Sequence, residues 1–159
     1  MSHRMQVLVG RHPALEGVDG VVALPQGFAL VELGPALRAA WGGVVGRPLV
    51  PFEHLDHGAL RFALTRSRAA PIAYLEANYF GVMGTQAAAA WHDGQPVVPG
   101  RRSPEEGLSQ PPWGDPRGPI NEALGAIGVD VGEARDAFDA LELWRFSRGK
   151  SRADPRGLG

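Results

Sequence analysis

Residues 71–98 read PIAYLEANYFGVMGTQAAAAWHDGQPVV, and the fold turns on how this stretch is read. Its first part alternates. Ile72, Tyr74, Glu76 and Asn78 fall on one side of an extended chain and Ala73, Leu75, Ala77 and Tyr79 on the other, which is the period of a strand. The alanines of TQAAAAWH favour helix by propensity. Yet the segment lies between that strand and the turn His92-Asp93-Gly94-Gln95, and Asp-Gly between extended runs is the strongest short-range hairpin signal. The whole stretch is therefore expected to form three antiparallel strands. Alanines on both faces of the middle strand place it at the centre of a sheet covered closely above and below, because small side chains let neighbouring layers approach.

The loop Gly81-Val82-Met83-Gly84 does not have the context of a ligand-binding device. A phosphate loop needs a Lys after its second Gly and a helix to follow; a dinucleotide fingerprint needs Gly-x-Gly-x-x-Gly; an RNA-binding Gly-x-x-Gly loop joins two helices. Here Thr85-Gln86 and a strand follow, so the expectation is a tight strand connection with positive φ at one or both glycines.

Upstream, MQVLVG reads as a strand ended by Gly10 and Pro13. The apolar runs Val21–Leu24 and Phe28–Leu33 flank Pro25-Gln26-Gly27 and read as a hairpin. GPALRAAWGG has Pro first and Gly last, fitting a short helix. A longer helix is expected from about Phe52 to Arg68, with Leu55, Ala59, Phe62 and Ala63 recurring on one face.

Downstream, the six prolines within residues 99–119 mark a long, mobile loop at about 99–118. INEALGAIGV supplies a short helix. EARDAFDALELWRF supplies a longer one, with Ala134, Ala137, Phe138, Leu141 and Trp144 on its buried face and Glu133, Asp136, Asp139 and Glu142 on its outer face. Residues 147–159 are polar and basic and are expected to fray. The sum is one α+β domain over residues 1–146, mainly an antiparallel sheet packed by about four helices.

Composition narrows the chemistry. A net charge of -1 supplies no general attraction to nucleic acid or to an anionic membrane. The lack of Cys removes disulfides, thiolate metal ligands and cysteine nucleophiles. No apolar run approaches the roughly 18 residues of a membrane span, and a cytoplasmic location is expected. Lys150 is the only lysine; this Arg-for-Lys bias, together with the abundant Gly and Pro, is the composition expected of a GC-rich genome and points to no function.

Few residues invite a catalytic reading. There is no Gly-x-Ser-x-Gly elbow. Glu53, His54, Asp56 and His57 form the densest group of metal-ligand types, but His54 and His57 are three apart rather than at the four-residue spacing of zinc-binding helices, and polar residues in a first helical turn serve as caps. No metal or other cofactor is expected. Glu76, set in an apolar strand beside Tyr74 and Asn78, is the carboxylate expected to be buried and paired.

Tyr79, Phe80, Gly81, Gly84 and Gln86, followed by Pro119, Ile120, Asn121, Ala123, Leu124 and Gly128 and then by Phe138, Asp139 and Ala140, resemble a pattern in a set of small bacterial proteins without assigned activity: Tyr-Phe-Gly-Gly-x-Gly-x-Gln, a hairpin, Pro-Ile-Asn-x-Ala-Leu-Arg-x-Leu-Gly and a terminal Phe-Asp-Ala helix. The resemblance covers roughly the second half of the chain, and Val82 departs from the pattern's second Gly. It implies a cytosolic accessory protein of immunity-like kind and carries over no catalytic residue.

Two functions are therefore expected. The first is a non-enzymatic module that presents Tyr74, Tyr79 and Phe80 on its sheet and meets a protein partner through its acidic helix or Pro-rich loop, with homo-oligomerisation open. The second is a small enzyme or ligand-binding protein whose pocket lies near Gly81–Gln86 and gathers Glu76, Gln86, His92 and Asn121. The second requires those four side chains to converge.

Overall fold

The structure, a computed structural model, describes residues 2–35, 37, 49–80, 83–103, 106–107 and 118–146; for residues 2, 3, 79, 80, 83, 106 and 107 it describes the backbone alone. The strands are β1 (Ser2–Arg11), β2 (Val22–Ala23), β3 (Phe28–Glu32), β4 (Ile72–Phe80), β5 (Met83–His92), β6 (Gln95–Arg102) and β7 (Glu106–Gly107). The helices are α1 (His12–Leu15), α2 (His57–Arg66), α3 (Pro119–Ala126) and α4 (Ala137–Ala140). The strands make one antiparallel sheet in the order β2-β3-β1-β4-β5-β6, with β7 also pairing β5.

The alternation in residues 72–79 becomes two cores, one on each face of the sheet. Ala73, Leu75 and Ala77 join Val7, Val9, Leu30, α3 and α4 on one face, here called the α3 face. Ile72 and Tyr74 join Leu8, Val31, α1 and α2 on the other, the α2 face. Strand β5 divides its alanines in the same way, with Ala88 and Ala90 towards α3 and Ala87 and Ala89 towards α2, all of them buried. The run forms a strand, not a helix. Its partners on both faces supply the stabilisation that intrinsic alanine preference does not.

The β5–β6 hairpin turns at Asp93 and Gly94, with φ of 56° and 76°. Both lie in the left-handed region that a two-residue hairpin turn requires, and Gly adopts it without a Cβ clash. The β4–β5 register runs to Phe80↔Met83, so Met83 and Gly84 of the expected loop belong to β5, Gly84 with φ 150°; Gly81 and Val82 lie outside the described residues. Among the described residues, strand β6 ends the sheet on its side, exposed along most of its length and interrupted by Pro96 and Pro99. Its Gly100 lies under Phe52: a Cβ there would come within 2.8 Å of the ring.

Several expected boundaries move. The helix expected from Phe52 begins only at His57, because Asp56 is its N-cap, with Oδ1 accepting the Ala59 N–H at 2.8 Å, and the N–H groups of Glu53 and His54 bond elsewhere. The expected loop at 99–118 starts later, since β6 continues to Arg102 and pairs with Ala87; residues 104–105 and 108–117 lie outside those described.

The long C-terminal helix is a correction. Asp136 caps a single turn, α4; Glu142 then takes φ 57°, and Leu143–Phe146 form a 3-10 turn. The acidic outer face is thereby broken up, with Asp136 buried at 3% exposure, and Trp144, expected on the buried face, is 54% exposed. The helix expected in Gly34–Gly43 and the tail 147–159 fall largely or wholly outside the described residues.

Candidate functional site

Glu76 lies on the α2 face with 2% of its surface exposed. The apolar strand around it would make an unpaired carboxylate there very unfavourable, so its partners decide what it does. Four donors converge on it. Oε1 accepts the Tyr74 hydroxyl at 2.7 Å and the His54 N–H at 3.1 Å; Oε2 accepts the Glu53 N–H at 2.7 Å and the Arg102 guanidinium. Arg102 also donates from Nε to the Pro51 carbonyl at 2.6 Å and from its Nη1 to Thr85 Oγ1 at 2.5 Å. Phe52 meets the Tyr74 ring edge-on at 5.4 Å between centroids. Residues 51–54 are thereby fastened across β4, β5 and β6, with Val50-Pro51 cis. A carboxylate holding four donors in one arrangement is an anchor for this segment, and its hydrogen-bonding capacity is already taken up.

Gln86 lies on β5 facing α3, 2% exposed. Helix α3 starts with Gly118, which has no capping side chain, and Pro119, which has no N–H, so Ile120 carries the first amide in need of a partner. Gln86 Oε1 accepts it at 2.9 Å. The Gln86 backbone is in turn held by Ser103, whose Oγ accepts its N–H at 3.0 Å and whose N–H reaches its carbonyl at 2.9 Å. Gln86 is the cap that the helix's own sequence lacks.

Asn121, 7% exposed, joins α3 to α4. Its Oδ1 accepts the Phe138 N–H at 2.9 Å and its Nδ2 donates to Asp136 Oδ2 at 3.4 Å, while Asp136 Oδ1 accepts the Asp139 N–H at 2.8 Å. The Asn-Asp pair satisfies the exposed amides of a four-residue helix too short to stand alone.

Of the residues singled out from the sequence, the structure joins Tyr74 and Glu76 in one cluster and places Gln86 and Asn121 beyond the sheet, on the opposite face. His92 is exposed at the far hairpin. The convergence required for a pocket near Gly81–Gln86 is therefore not met among these side chains. Tyr74 is fully buried and presents no exposed aromatic surface, and the Tyr79 and Phe80 side chains lie outside those described. His54 and His57 belong to no group of three or more metal-ligand side chains, and no such group occurs among the described residues.

The sequence reading missed two features. Arg102 falls within the expected loop, and its role has no signal in residue spacing, since it meets Glu76 only through the β4–β5–β6 register. The other is an apolar groove of about 610 Å³ at the β2–β3 edge, lined by Val22, Leu30, Leu37 and Phe146 and carrying Asp19 and Glu32. It brings together residues more than a hundred positions apart. A side-chain clamp holds the β2–β3 connection: the Gln26 amide both donates to the Asp130 carbonyl at 2.7 Å and accepts its N–H at 2.9 Å. Beside it, Arg11 stacks 4.4 Å over the Phe28 ring and donates to the Gln26 and Gly128 carbonyls.

No helix among the described residues is long and apolar enough to cross a membrane. No protein-family profile, curated protein or solved structure matches the chain.

Proposed function

We propose that this chain is a non-enzymatic, cytosolic accessory module of immunity-like kind that binds a protein partner. The observation that carries the non-enzymatic half of this reading is the commitment of its buried polar side chains to structure: Glu76 holds a loop, Gln86 caps α3, and Asn121 with Asp136 docks α4. Catalysis by general acid or base needs a titratable group with hydrogen-bonding capacity left for a substrate, and Glu76, the buried carboxylate of the sheet, already holds four donors. The binding half is favoured by the groove at the β2–β3 edge, where Val22 is 40% exposed beside Phe146. Apolar concavities of this kind are where side chains of a partner find burial.

The test is affinity capture of the full chain from its source cells, with Val22→Asp as the comparison. A charge in the groove is expected to reduce capture of a stoichiometric protein at least tenfold while thermal unfolding of the two proteins stays alike, because Val22 is half-exposed on a two-residue edge strand. Recovery of no macromolecular partner by the unsubstituted chain would refute the reading; equal capture by both would remove the groove from it.

A further inference from the structure

We draw no further inference here: the strongest candidate, the apolar groove at the β2–β3 edge between Val22 and Phe146, already belongs to the proposed reading, and nothing in the structure shows what chemistry covers it.

Discussion

Glu76→Gln keeps the shape of the side chain and changes what it can accept. The carboxylate takes two donors on each oxygen; an amide has one oxygen and one NH2, so one pair of donors must face a donor. With nitrogen on the Oε1 side, the Tyr74 hydroxyl can rotate to accept, but the His54 N–H loses its partner. With nitrogen on the Oε2 side, the Glu53 N–H and the Arg102 guanidinium both lose theirs. The first orientation is the less unfavourable. It leaves one part-buried N–H unsatisfied, at about 1–3 kcal/mol, and replaces the Arg102–carboxylate ion pair by a bond from the guanidinium to a neutral amide oxygen, at about 1 kcal/mol. The expected loss is about 2–4 kcal/mol, a large share of the roughly 5–15 kcal/mol that holds a domain folded. For a chain of this length it lowers the melting temperature by roughly 5–15 °C.

Urea unfolding of the single variants and of Glu76→Gln/Arg102→Met completes a cycle, in which the two changes are expected to couple by more than about 0.5 kcal/mol. A Glu76→Gln protein within about 0.5 kcal/mol of the parent, or strict additivity with Arg102→Met, would show that the anchor reasoning is wrong. The sign matters for function as well. Neutralising a carboxylate kept for chemistry commonly leaves stability unchanged or raised, so a marked loss separates the two roles.

Ala88→Leu adds three carbons where β5 meets α3 and is expected to lose about 1–3 kcal/mol from overpacking, read as a lower urea midpoint; an unchanged midpoint would mean that the two layers are not closely apposed. Gln86→Ala removes the cap of α3 and is expected to cost about 1–2 kcal/mol. Its specific mark is faster hydrogen exchange at the Ile120 amide, and retained protection there would place the cap elsewhere. Gly125→Ala fills open space on the exposed side of α3 at a helical φ and is expected to stabilise by about 0.5–1 kcal/mol, as seen in thermal unfolding; destabilisation would indicate a neighbour at that position.

What could be read in the sequence was whatever repeats with a short period. The alternation around Tyr74 and Glu76, the Asp-Gly turn and the alanines of β5 led to strands β4, β5 and β6 and to a sheet buried on both faces. The burial and pairing of Glu76 followed from its apolar neighbours, but its partner did not. Arg102 reaches it through strand register, and the Glu53 and His54 amides reach it from a segment whose apolar spacing resembled helix. The last helix failed for a related reason. Ala137, Phe138 and Leu141 do recur at helical spacing and are buried, but periodicity is indifferent to where a helix stops, and the left-handed Glu142 stops this one. Asp136 seemed a surface charge because a cap and a solvated carboxylate look alike in sequence. Only its position opposite Asn121 distinguishes them.

The two margins of the sheet differ in a way that bears on polymerisation. Growth by strand addition needs a row of amide donors at each margin, and β6 offers a depleted one, since Pro96 and Pro99 have none to give. Among the described residues, recruitment of another strand is left to the β2–β3 margin, where β2 covers only Ala29 and Leu30. Two molecules meeting there about a two-fold axis would each occupy the other's receptive margin, so the process would end at a pair and not propagate into a fibre.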